Sequence, residues 1–281
     1  MAKYFITGST GTIGKSTVGA LIEKGEKVIA ATRNPKEYQL ASENQTSAVY
    51  FDYKEPDTFK AVNKADAVFL LGPPLDTSLF ELVSPFLDYL EQHGPNRVVY
   101  LSANGIETES MPFHVKMEQK LKDSQLDWTI LRPGFFMQNF GNYEHENIEQ
   151  RKIVFAPAGD GKTAFISTVD IGAAAASVLT NSGHSGKTYV LTGDKLYSYY
   201  DAAEMLSEVT GETISYPNPG NKMYRLVLKD SGAPDFIAEY MIDIYDLIRK
   251  NKVENISEDL ENLIGRKPES LKEVLIRDFK K

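Results

Sequence analysis

The chain has 281 residues, Lys+Arg 31 against Asp+Glu 39 for a formal charge of −8, 42% hydrophobic residues and no cysteine. This ordinary globular balance excludes a disordered tail, a collagen-like chain and a disulfide scaffold. Lack of cysteine removes thiolate nucleophiles and Cys-ligated metal, and without a basic stripe a nucleic-acid backbone is not an expected partner.

In chain order, short β-branched or aromatic runs at 4–7, 27–32, 48–51, 67–71, 97–101 and 128–131 alternate with helical patterns. The first helical pattern carries Ile13, Val18, Leu21 and Ile22 and stops at Gly25; the fourth, with Leu79, Leu82, Val83, Phe86, Leu87 and Leu90, stops at Gly94-Pro95. This alternation predicts successive βαβ units and a doubly wound parallel sheet of about six strands, an α/β Rossmann class. After Pro133-Gly134 the pattern changes. A polar stretch at 142–152 is followed by a short strand at 153–155, a glycine turn at 159–161, a helix at 169–179, a strand at 188–192 and a helix at 200–209. Amphipathic helix resumes at 235–275, with interruptions at Gly265 and Pro268. The expected division is a nucleotide domain at 1–133 and a smaller C-terminal α/β lobe at 134–281, with part of 170–192 as a candidate to return to the first sheet. No run reaches the roughly 18–20 apolar residues that cross a bilayer, so no membrane partner and a cytoplasmic location are expected.

The first run leads into Gly8-Ser9-Thr10-Gly11-Thr12-Ile13-Gly14. Gly8 suits a tight turn, Gly11 close approach to a pyrophosphate, and Gly14 close packing of helix on strand. Thr10, Thr12 and Ile13 fill the loop that opens the helix. The segment Gly14-Lys15-Ser16-Thr17 ends like a P-loop, but the glycine such a loop requires five residues before Gly14 is Ser9 here.

At the end of the second strand a carboxylate would accept from an NAD ribose. This chain has Arg33 there, whose guanidinium suits a 2′-phosphate and so favours NADP(H); the competing reading is a plain surface residue. By position at strand ends, Asp52-Tyr53 borders the adenine and Leu71-Gly72-Pro73-Pro74 the ribose. The four His residues are scattered, so no metal site is expected.

The glycine loop, Arg33-Asn34-Pro35, Tyr100-Leu101-Ser102-Ala103 and, above all, Trp128-Thr129-Ile130-Leu131-Arg132-Pro133-Gly134-Phe135-Phe136-Met137-Gln138-Asn139 together resemble the NmrA-like family, atypical short-chain dehydrogenase/reductases. Val169-Asp170-Ile171 and Tyr189-Val190-Leu191-Thr192-Gly193 extend the likeness over nearly the whole chain. The resemblance implies NADP(H) held by the loop and by strand ends that include Ser102, Ala103, Pro133, Gly134, Phe135 and Phe136. It also implies a C-terminal lobe for a substrate or partner. Family members divide into reductases of quinones and related conjugated acceptors, and non-catalytic NADP(H) sensors that act through a partner protein.

Typical members of the superfamily carry Tyr-x-x-x-Lys after the fifth strand. Here His114 stands at the Tyr position and Glu118 at the Lys position. His114 is a candidate acid, with Glu118 expected to favour the imidazolium; a solvated His114–Glu118 pair without chemistry is the alternative. Ser102 is a candidate to orient cofactor or acceptor, or else a strand cap. A ketone's alkoxide needs a proton donor, whereas a quinone yields a weakly basic anion that water protonates. Phe135, Phe136, Met137 and Phe140 are the candidate apolar platform for such an acceptor, packing between lobes being the bland reading. The expected function is an NADPH-dependent reductase of a conjugated small molecule, with the NADP(H) sensor as the alternative. A homo-oligomer or a regulatory partner is compatible with either.

Overall fold

Alternation within the first apolar run sets up the layers: in strand β1 (Lys3–Ile6), Phe5 faces one side of the sheet while Tyr4 and Ile6 face the other. The computed structural model describes residues 1–39, 42, 44–73, 76–106 and 111–280. Among them, β1, β2 (Lys27–Thr32), β3 (Thr46–Tyr50), β4 (Ala67–Leu70), β5 (Arg97–Leu101), β6 (Asp127–Pro133) and β7 (Lys187–Leu191) form one parallel sheet in the order β3-β2-β1-β4-β5-β6-β7. Phe5 lies between Ile29 of β2 and Val68 of β4. The strands are apolar on both sides because helices cover both faces.

One face is covered by α1 (Thr12–Glu23) and α5 (Thr168–Thr180), which bury Val18, Leu21, Ile171 and a run of alanines. Gly172 lets the two helices approach closely, since a Cβ there would lie 2.5 Å from the Ser16 carbonyl carbon. On the opposite face, α2 (Leu79–His93) and α3 (Pro112–Asp123) bury Val83, Phe86, Leu90, Phe113, Met117 and Leu121. Each such side chain contributes about 1.5–3 kcal/mol on burial.

A short α4 (Asn139–Asn142) precedes α5, and the C-terminal helices are α6 (Tyr199–Thr210), α7 (Asn221–Asp230), α8 (Asp235–Arg249), α9 (Asp259–Ile264) and α10 (Leu271–Phe279). Capping boxes at Ser198/Asp201 and Ser270/Glu273 open α6 and α10. Asp259 Oδ2 accepts the Val190 N–H at 2.8 Å, satisfying an edge donor of β7. Asp170, fully buried, accepts from Arg266 Nη2 at 2.6 Å and from the Glu269 N–H at 2.7 Å, which ties the tail to α5.

The sheet has seven strands instead of about six, because the segment after α5 returns as β7 beside β6. The strand expected at 153–155 is reduced to an isolated bridge between Ile153 and Ser215. The β3-to-β4 crossover is a 3-10 helix, Pro56–Lys64, and the polar stretch 142–152 contains a π-helical turn, Asn147–Arg151, closed by Lys152 at φ 57°. Helix α7 is absent from the sequence reading, although Met223, Tyr224, Val227 and Leu228 stand at helical spacing; it buries Tyr224. Among the described residues, no helix is long and apolar enough to cross a membrane.

Candidate active site

Parallel strands place all their carboxyl ends on one edge, and the strand order reverses at β1, between β2 and β4. That is where a crevice opens in a doubly wound sheet. Thr7 closes β1 against β4: its Oγ1 accepts the Leu71 N–H at 2.7 Å and lies 3.1 Å from the Leu71 carbonyl oxygen. Ser9 Oγ donates to the Ala31 carbonyl at 2.8 Å, which anchors the loop to β2. Gly8 has φ +58°, and the Gly11 N–H donates to its carbonyl at 3.0 Å. A Cβ on Gly14 would lie 2.2 Å from the Gly8 oxygen, so only glycine lets α1 start this close to the strand.

The loop outside that anchor is bare. Thr10, Gly11 and Thr12 are exposed and Ile13 is half-buried; Gly11 caps α1 without a side-chain bond, and no acidic residue stands in the first turn. The N–H groups and partial positive charge of the helix start are left for an anion, which fits the pyrophosphate of a dinucleotide. Arg33, exposed just beyond β2, makes no ion pair or hydrogen bond with a described residue.

At the next strand ends the polar groups are occupied. Tyr53, packed on Phe51 and Phe86, donates its hydroxyl to the Leu71 carbonyl at 2.8 Å, and burial pushes its pKa up. Asp52 Oδ1 accepts from the Lys54 N–H at 2.9 Å. Gly72 abuts Leu79, whose Cδ1 would lie 2.4 Å from an added Cβ; Gly72 and Pro73 are half-buried, and Pro74 lies outside the described residues.

The His114–Glu118 helix turn departs from its sequence reading. Glu118 does not pair with His114. It is buried and receives Arg132 Nε at 2.8 Å on Oε1, Arg132 Nη2 at 2.6 Å on Oε2, Ser102 Oγ at 2.7 Å and Lys122 Nζ at 3.1 Å. Burial alone would raise its pKa, but the bonds from Arg132 and Ser102 and the charge of Arg132 hold it below the ordinary value. Ser102, itself buried at the end of β5, thus spends its hydroxyl on Glu118. His114 Nδ1 lies 2.6 Å from the hydroxyl of Tyr100. Burial lowers the imidazole pKa to about 4 and outweighs the attraction of Glu118, so the ring is neutral instead of imidazolium.

Beyond β6, Pro133 and Gly134 are held in place: the Asn104 N–H donates to the Pro133 carbonyl and the Gly134 N–H to that of Leu191, both at 2.9 Å. Phe135 is half-buried, its ring centroid 6.0 Å from that of Tyr245, and Phe136 is half-buried over the opposite layer. Met137 and Phe140 do not join a platform, because both are inside the core; Phe140 packs on Phe165 and Tyr199. Ala103 is half-buried beside Ser102.

Tyr100, Arg132 and Tyr245 went unassigned in sequence, although the first two lie within the strand motifs. Glu144 left no signal at all. Its Oε2 accepts from the Phe155 N–H at 2.8 Å and from Asn147 Nδ2 at 3.1 Å, and burial raises its pKa to about 7 near the Tyr199, Tyr224 and Tyr245 cluster. Among the described residues no cluster of His, Asp and Glu could hold a metal ion.

A glycine turn at the switch point, an uncapped helix start and strand ends along one edge define a Rossmann protein built for a dinucleotide. Residues 8–182 match the model of the NAD(P)H-binding family, and the chain belongs to it. It is 29% identical to Prestalk A differentiation protein A of Dictyostelium discoideum over 98% of this chain and 91% of that one. It is 27% identical to quinone oxidoreductase 2 of Escherichia coli, over 95% of this chain and 96% of that one. The crystal structure of the NADPH-dependent quinone oxidoreductase QOR2 of Escherichia coli, complexed with NADPH, superposes with a TM-score of 0.89 at 25% identity, covering 98% and 99% of the two chains. These likenesses bear out the NmrA-like resemblance and the Rossmann class.

Proposed function

We propose that the protein is an NADPH-dependent reductase passing hydride to a conjugated, quinone-like acceptor, with residues 1–133 holding the cofactor and the rest of the chain shaping the acceptor site. The observation that carries this reading is the Glu118–Arg132 pair: where typical relatives place the Lys that acidifies a Tyr, this chain has a carboxylate already neutralised by a guanidinium. A neutral His114 with a pKa of about 4 is a poor proton donor near neutral pH, so an acceptor whose reduced anion takes its proton from water suits the site. The names of the quinone-reducing relatives support the same class.

The bound cofactor would supply the hydride. Toward it, the loop from Gly8 to Gly14, exposed at Gly8 and from Thr10 to Thr12, offers N–H groups to the pyrophosphate, and Arg33 offers a guanidinium to the 2′-phosphate. Leu71, Gly72 and Pro73 flank the ribose and Asp52 and Tyr53 the adenine. Ser102, Ala103, Pro133 and Gly134 lie along the nicotinamide half. Phe135 and Phe136 remain as the half-buried aromatics next to the acceptor. The test is anaerobic oxidation of NADPH, followed at 340 nm, with a panel of quinones. Turnover supports the reading. Intact NADPH binding without turnover on any acceptor overturns it in favour of a sensor that signals through a partner.

A further inference from the structure

A site without an acid can still contain a fixed hydrogen-bond donor, and the end of β5 supplies one. Tyr100 is fully buried, and its hydroxyl oxygen lies 2.6 Å from His114 Nδ1. Such a contact forms in two ways: the phenol donates to a bare Nδ1, or a protonated Nδ1 donates to the phenol oxygen. The second leaves a buried hydroxyl proton with no acceptor among the described residues; the first satisfies both groups. Burial therefore selects the first, and the proton of the neutral ring sits on Nε2. That atom meets no hydrogen-bond partner among the described residues. Nor is it one of the buried orphans, which among the described residues are Glu26 Oε2, Thr46 Oγ1 and Asp246 Oδ1, so Nε2 keeps some accessible surface.

We propose that Tyr100 is a positioning residue that holds His114 as a fixed Nε2–H donor, and that this donor binds the carbonyl oxygen of the acceptor, making conjugated carbonyl compounds the favoured substrates over oxygen-free dyes. This rests on the reductase reading above. Reduction moves a hydride, one proton with its electron pair, from NADPH to the acceptor, which leaves NADP⁺ behind and negative charge on the acceptor oxygen. The Nε2–H stabilises that charge as it develops, and water then supplies the proton. The donor keeps its own proton throughout, in line with a ring that burial keeps neutral despite the nearby Glu118 carboxylate.

The test has two parts. In the intact protein labelled with 15N-histidine, with the His114 signals assigned by their loss in His114→Phe, Nε2 is expected to carry the proton and Nδ1 to resonate as a bare, hydrogen-bonded nitrogen. A proton on Nδ1 overturns the proposal whether or not the protein turns over any acceptor. In kinetics, the ratio of kcat/KM for menadione to that for crystal violet, a conjugated cation without oxygen, is expected to fall about tenfold in Tyr100→Phe and in His114→Phe, the scale of one hydrogen bond. His114→Gln, which keeps an N–H near the Nε2 position, is expected to recover most of the ratio. An unchanged ratio in the first two variants overturns the proposal. Absence of all NADPH oxidation, with Nε2 protonated, would instead count against the reductase reading and leave the role of Tyr100 in place.

Discussion

Glu118 of α3 and Arg132 of β6 form a two-point ion pair inside the molecule, with Nε on Oε1 at 2.8 Å and Nη2 on Oε2 at 2.6 Å. Their side chains are only 3% and 16% exposed, so the attraction is screened little, and each charge depends on the other for having left water. The pair also holds Ser102, which ties the end of β5 to α3.

Removing one partner leaves a buried charge. Arg132→Met is expected to cost about 3 kcal/mol in urea unfolding, a little eased by Lys122, while the double variant Glu118→Leu/Arg132→Met recovers most of the loss. Additive losses in the double variant would mean that the two residues act independently.

The glycine loop separates folding from binding. Gly14→Ala forces a contact of 2.2 Å on the Gly8 carbonyl and is expected to lower stability by about 2 kcal/mol or more. Gly11→Ala meets that oxygen at 3.4 Å, an ordinary contact, so the fold should persist while a methyl group fills the approach to the pyrophosphate. Thermal melting with and without NADPH distinguishes the two: Gly11→Ala should melt normally but lose the cofactor-induced rise.

Arg33→Ala is expected to weaken NADPH about 10–100-fold and NADH by less than about twofold, the scale of a charge-assisted bond to a phosphate. Fluorescence titration with both cofactors measures this, and equal effects on the two would remove Arg33 from phosphate selection.

Glu144 predicts a pH effect on stability. Its folded pKa of about 7 stands above the ordinary value of 4.5 because burial disfavours the charge. Between these values the folded state holds a proton on Glu144 that the unfolded chain has released, so the Glu144 contribution to stability falls as pH rises from about 4.5 through 7. Glu144→Gln should remove that slope and gain roughly 1–3 kcal/mol over the parent at pH 8 relative to pH 4.5, measured by urea unfolding at both. His114 has the opposite sign. Its depressed pKa costs stability as pH falls from 6.5 through about 4, nearly the same range, so the two contributions offset in the parent and the Glu144 part is read as the difference between the parent and Glu144→Gln profiles.

Local rules made the nucleotide half legible. β-branched runs and glycine spacing each act within a few residues, and the structure has the strands and the close start of α1 that they predict. What depended on distant partners was hidden. His114 and Glu118 look like a pair on a helix, but Arg132, fourteen residues beyond Glu118, claims the carboxylate, and Tyr100 claims the imidazole. Met137 and Phe140 read as a platform in sequence because nothing local shows that Phe165 and Tyr199 will cover Phe140. Glu144 was invisible because its neighbours come from distant helices: Tyr199 of α6, Tyr224 of α7 and Tyr245 of α8.

The central claim is that delocalisation in the acceptor replaces an acid in the protein. It is tested most directly by kcat/KM with NADPH for menadione against cyclohexanone, an unconjugated ketone whose alkoxide needs a donor. The account predicts a preference for menadione of at least about 100-fold, the smaller end of what general acid catalysis supplies. Comparable turnover of both, or faster reduction of cyclohexanone, would contradict it.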